Sequence, residues 1–96
     1  MEYTKKEAQS ERQLEKLFKA FANKRRIAVI RYLKRVKSAT VGEIAGEIHL
    51  SFKATSKHLR ILAGADIVDQ TQQRLYVFYQ LARNRDAVVR VLVTLL

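Results

Sequence analysis

The sequence predicts a mainly α domain in the order α-α-α-α-β-β-α, with a single two-stranded β-hairpin. Three observations carry this. Up to residue 65, four successive stretches repeat apolar residues at three- and four-residue spacing, each preceded by a residue suited to cap a helix. After Gly64 the period changes: IVDQTQQRLYVFYQL has β-branched and aromatic residues at both ends and polar residues between, the pattern of two strands and a turn. The last stretch, NRDAVVRVLVTLL, is again helical in period and almost wholly apolar. At 96 residues the chain is read as one domain spanning 1–96, and its 48% hydrophobic and 29% charged residues suit a folded body rather than a disordered one.

The elements follow in order. Thr4 with Glu7 makes a capping-box pattern, and Leu14, Leu17, Phe18 and Phe21 repeat at i, i+3, i+4, i+7, so a first helix runs over roughly 4–21. Asn23 caps a second, with Ile27, Ile30, Leu33 and Val36 facing inward and Lys24, Arg31 and Arg35 on another side. Thr40 with Glu43 is another capping box and opens a short third helix that buries Val41, Ile44, Ala45 and Ile48. Ser51 caps a fourth, with Thr55, Leu59 and Leu62 inside and an end near Gly64. In the hairpin the turn is expected at Gln72-Gln73, after which Leu75, Val77, Tyr79 and Leu81 alternate with Tyr76, Phe78 and Gln80. Asn84 is expected to cap a last helix over 84–96.

Charge narrows the function. Nineteen Lys and Arg against nine Asp and Glu give +10. The excess is local: residues 23–37, NKRRIAVIRYLKRVK, carry +7, and residues 51–65 carry +3. Two basic segments of helical period are the footprint of a polyanionic partner, whereas a solvated surface spreads its charge. No cysteine is present, which excludes disulfides, zinc–thiolate sites, iron–sulfur clusters and thiol catalysis. The charged N-terminal stretch has no apolar core for a signal peptide, and no apolar run approaches the length that spans a bilayer. A cytoplasmic protein with no membrane partner is expected. There is no glycine-rich phosphate loop, no H-E-x-x-H and no nucleophile–histidine pair, so catalysis is not expected.

The third and fourth helices are joined by His49-Leu50, the tight link of a helix-turn-helix. The fourth presents Phe52, Lys53, Ser56, Lys57 and Arg60 on its outer side, and a major groove is wide enough to admit a helix. A hairpin after such a recognition helix is the wing of a winged helix, with Arg74 near its tip and able to enter a minor groove. The uncompensated charge of the second helix, including Arg26 and Arg31, is expected to attract phosphates.

Residues 14–81 resemble the ArsR/SmtB-type winged-helix transcriptional repressors, most densely over LSFKATSKHLRILAGADIVD. Ser51, Ser56, His58, Leu59, Leu62, Ala65 and Val68 fall on that family's "S….S.HL..L..AG.V" pattern, Arg26 on the arginine that opens its second helix, and Tyr79 and Leu81 on the "Y.L" closing its wing. The resemblance implies base reading by Phe52, Lys53, Ser56 and Lys57, with Arg26 and Arg60 near phosphates. Two departures stand out: Asp66 and Gln73-Arg74 replace glycines. The first requires an aspartate at positive φ, and the second a differently shaped wing tip. His58, beside the inner stripe, is read as a structural, hydrogen-bonded histidine.

Metal sensing is that family's best-known output, but the ligands it uses are missing. EIAGEIHL holds no cysteine, Asp86-Ala87-Val88 places valine where the last-helix sensors have histidine, and His49 and His58 have no carboxylate at ligand spacing. No metal and no cofactor are expected. Val88, Val89, Val91, Leu92, Val93, Leu95 and Leu96 wrap nearly all round the last helix, more than one thin domain can cover. The resemblance places a two-fold dimer interface on the first and last helices, with Leu14, Leu17, Val88, Val89, Leu92, Val93 and Leu96 as its residues. A helix cut short of its natural end is the other reading of that apolar run. Two functions remain. One is a homodimeric, sequence-specific regulator of double-stranded DNA, a repressor of palindromic sites without a metal sensor. The alternative is a non-specific architectural nucleic-acid-binding or protein-docking winged-helix module.

Overall fold

In a computed structural model of the chain, residues 5–83 and 86–96 are described, with side chains from residue 11 onward. The elements are α1 (Lys5–Phe21), α2 (Lys24–Val36), β1 (Ala39–Thr40), α3 (Val41–Ile48), α4 (Phe52–Gly64), β2 (Val68–Gln73), β3 (Tyr76–Leu81) and α5 (Ala87–Leu95). The predicted order holds, with β1 added. β1 pairs antiparallel with β3 through Ala39–Tyr79 and Thr40–Phe78, so the sheet has three strands in the order β1-β3-β2.

The caps explain most of the boundaries. Asn23 accepts from the Arg25 and Arg26 amides and starts α2. Thr40 and Glu43 exchange the two bonds of a capping box, and Thr40 is extended (φ −79, ψ 164), so the same residue ends β1 and starts α3. Ser51 accepts from the Ala54 amide and starts α4. The Thr4–Glu7 pattern lies outside the described residues and side chains. The last helix differs from expectation: it begins at Ala87, with Asp86 accepting from the Val88 amide. Asn84 lies outside the described residues.

Ile30 and Leu33 of α2, Ile44 of α3, Leu59 and Leu62 of α4, and Ile67 before β2 are fully buried in one cluster, joined by Val89 and Val93 of α5 and Leu17 of α1. Each large aliphatic there contributes about 1.5–3 kcal/mol by leaving water. Three inner-face expectations fail. Ile27 is only half-buried, Val36 is 38% exposed, and Val29 is buried in their place, so the inner stripe of α2 lies a few tens of degrees round from the predicted one. Phe18 is 50% exposed, because α2 covers the Leu17, Ala20 and Phe21 side of α1.

The hairpin pairs Gln73 with Tyr76, so its turn is Arg74-Leu75 and not Gln72-Gln73. Leu75 is therefore no strand residue; it stands 93% exposed at the tip. Arg74 takes φ 58 and Asp66 takes φ 56, the two positions where the resemblance has glycine. The backbone demand has been kept although the glycines have gone.

Candidate nucleic-acid interface

α3 ends at His49, whose left-handed backbone (φ 56, ψ 48) turns the chain at once into Leu50 and the α4 cap Ser51. The His49 and Leu50 amides both donate to the Ala45 carbonyl, closing the end of α3. Thr55, Leu59 and Leu62 hold α4 down by its inner stripe. Lys53, Lys57 and Arg60 lie on the opposite, exposed side at i, i+4, i+7 and have no hydrogen-bond or ion-pair partner among the described residues. Phe52, at the first turn, is 64% exposed. Ser56 is half-buried rather than fully outside, and so reads as an edge contact. Arg74 is exposed at the wing tip, separated from α4 by the length of β2.

The basic segment 23–37 behaves differently from expectation. Five of its seven cations are engaged within the molecule, four of them at the C-terminal ends of other helices. Arg25 Nη1 donates to the Ile48 carbonyl of α3 at 2.6 Å. Arg26 donates through Nε to Ala20 O at 2.7 Å and through Nη2 to Lys19 O at 3.1 Å, closing α1. Arg31 Nε reaches the Leu96 main-chain oxygen at 3.1 Å, and Lys34 Nζ the Val93 carbonyl at 2.8 Å, both at the end of α5. Arg35 pairs with Glu47 at 2.8 Å and lies over the Tyr32 ring. The last carbonyls of a helix lack intrahelical donors and carry its partial negative charge, so cations there satisfy both. Arg26 and Arg31, expected to attract phosphates, thus each spend donors on a helix end.

Arg26 also touches the recognition helix. Its Nη1 lies 3.2 Å from His58 Nδ1, so the ring accepts there and carries its proton on Nε2. Burial first, and then the charges of Arg26, Lys57 and Arg25, push the His58 pKa below its ordinary value. The lowering favours the neutral ring, which is the form that can accept from Arg26.

The seven expected interface residues of the end helices divide in two. Leu17, Val89 and Val93 are buried in the chain's own core, while Leu14, Val88, Leu92 and Leu96 are half-buried. Among the described residues, the large apolar side chains that α1 and α5 leave in solvent are Phe18, Val91 and Leu95, at 50%, 59% and 73% exposure. Leu14 and Phe18 line an open, almost wholly apolar groove along α1. Among the described residues no group of three or more His, Cys, Asp and Glu is placed to hold a metal ion, and the Asp86 carboxylate serves as the cap of α5. No described helix is long and apolar enough to cross a membrane.

Comparison with known proteins agrees with this geometry. The family model described as "Bacterial regulatory protein, arsR family" matches residues 23–70, from the cap of α2 into β2. No curated protein matches the chain. Among solved structures, HlyU from Vibrio cholerae N16961 is 29% identical, with 90% of this chain and 89% of that one covered and a TM-score of 0.77. A homodimeric winged helix-turn-helix DNA-binding domain from Mycobacterium bovis, described as a possible ArsR-family transcriptional regulator, is 22% identical; 97% of this chain and 82% of that one are covered, with a TM-score of 0.84. The transcriptional repressor PagR of Bacillus anthracis is 22% identical over 93% of this chain and 98% of that one, with a TM-score of 0.77. With its α3–turn–α4 unit inside a matched segment that spans half its length, and the β2–β3 wing following it, the chain belongs to the arsR family of bacterial regulatory proteins and has their winged helix-turn-helix fold.

Proposed function

We propose that the protein is a homodimeric transcriptional repressor that reads a palindromic site in double-stranded DNA through α4 and does not sense metal. One observation carries the reading: α4 holds three cations and an exposed aromatic clear of any internal partner, while the neighbouring α2 commits most of its charge internally. Lys53 and Lys57 are placed to donate to guanine O6 and N7, Phe52 to meet a thymine methyl, Ser56 to bond a base edge, and Arg60 to hold a phosphate. Arg74 supplies a minor-groove contact from the wing. Phe18, Val91 and Leu95 supply the apolar face for a second copy, whose two-fold symmetry dictates a palindrome. The homodimeric Mycobacterium bovis domain and the repressor PagR support the assembly and the sign of regulation. The absence of cysteine and the valine at position 88 support a regulator without a metal input.

Selection from a pool of random duplexes tests this. Enrichment of one palindromic motif is the expected result. A pool that is retained without enrichment would overturn specific recognition in favour of a non-specific architectural module.

A further inference from the structure

Beside α4, away from the wing, lies an open groove of about 450 Å³ walled by Arg12, Lys16 and Lys19 of α1, Arg26 of α2 and Arg60 of α4. Five cations face one carboxylate there, Glu15, which Lys19 already holds at 2.9 Å. Arg12, Lys16 and Arg60 are exposed and have no partner among the described residues. Arg60 continues the Lys53–Lys57 stripe, so the groove begins where the base-reading surface ends. From Arg12 to Lys19 the helix rises about 10 Å, comparable to three nucleotides of one DNA strand along the duplex axis. The positive field has a boundary: Lys16, Asp66 and Asp86 line the adjoining depression, where carboxylates outnumber cations. Little in the sequence pointed here, because residues 1–22 carry five basic and four acidic residues and only folding separates them.

We infer that this α1–α4 groove binds the phosphate backbone of DNA flanking the half-site, with Arg12 and Lys16 as contacts additional to α4. The inference rests on the DNA-binding reading and assigns the phosphate attraction once expected of α2 to α1. A spaced row of single cations suits a repeating phosphodiester, and its continuity with the Lys53–Lys57–Arg60 stripe favours the strand that α4 reads over a separate acidic protein segment.

Anisotropy titrations with the full chain at several salt concentrations test it, using two duplexes that share the preferred core. One ends at the half-site edges, and the other extends about ten base pairs further on each side, one helical turn. The unmutated protein should bind the longer duplex more tightly and with a steeper salt slope. Arg12→Ala with Lys16→Ala should remove that advantage and reduce the slope by about two units per protomer, since each lost phosphate contact removes about 0.9. Arg12→Lys with Lys16→Arg should retain it, and Arg31→Ala, at the far helix end, should leave the slope unchanged. All three side chains lie at the surface, and an unaltered thermal midpoint confirms folding. A double variant that keeps the full length advantage and slope overturns the inference while specific binding stands; so does one that loses only its binding to a poly-glutamate competitor, which would make the groove a protein dock. An unmutated protein that binds neither duplex overturns the DNA-binding reading and this inference with it.

Discussion

Arg74 and His58 show how single residues carry opposite tasks. At φ 58 Arg74 occupies a region where a side chain costs about 1–2 kcal/mol and glycine does not. Arg74→Gly should therefore raise stability, by up to about 1 kcal/mol after the entropy glycine adds to the unfolded chain, and weaken DNA binding. Urea unfolding and a duplex titration on the same variant read the two effects separately; loss of stability would mean that the turn is not strained at Arg74. His58 holds α4 to Arg26 only while neutral, since a proton on Nδ1 would face the guanidinium 3.2 Å away. Its pKa is lowered in the fold, so the unfolded chain binds the proton more readily. The contribution to stability is complete above about pH 6.5, the ordinary histidine value, and is lost as pH falls below it toward the folded value. Unfolding midpoints measured from pH 8 down to pH 5 should fall over that window in the native chain, and His58→Gln should flatten the fall. An identical profile in both would remove His58 as its cause.

At the scale of elements, α5 separates folding from assembly. Val91 and Leu95 face solvent, whereas Val89 and Val93 complete the core. Val91→Glu with Leu95→Glu should give a folded monomer by sedimentation, while Val89→Glu should unfold the chain, because a buried carboxylate without a partner costs several kcal/mol. A folded Val91→Glu, Leu95→Glu variant that still sediments as a dimer would place the interface elsewhere. The same helix shows what the sequence displayed and what it hid. Its apolar excess was legible, but valine on every side leaves the face undecided until α2 and α1 cover one of them. Caps were legible because they are local: Asn23, Thr40, Glu43 and Ser51 bond within three residues, as their spacing implied. β1 was not, since two residues cannot show an alternation, and it exists only because β3 is there to pair with it. The wing turn was misplaced by two residues because Gln72 and Gln73 look like loop, whereas the strand register carries the polar run to Gln73 and leaves Leu75 outside.

For the whole molecule, net charge points to a polyanionic partner but not to which cations would meet it. Residues 23–37 looked like the strongest attraction for phosphate, yet Arg25, Arg26, Arg31 and Lys34 spend their donors on the ends of α1, α3 and α5. A local count of charge cannot see where other helices end. The outer stripe of α4 was legible because its inner one was: once Thr55, Leu59 and Leu62 are buried, Lys53, Lys57 and Arg60 have only the opposite side. The proposed absence of metal input predicts that zinc, cadmium, arsenite and EDTA leave DNA affinity unchanged; a tenfold change, about 1.4 kcal/mol of coupling, would contradict it. The central claim is that α4 reads bases, and Lys57 tests it most directly. The native chain and Lys57→Ala are titrated against the selected duplex and against duplexes substituted one position at a time, at several salt concentrations. The account predicts that Lys57→Ala weakens binding to the selected duplex by about 1–3 kcal/mol and flattens preference at one position in each half-site. Weakening of every duplex by the same factor would contradict it, leaving Lys57 an electrostatic contact and α4 without the role of reader.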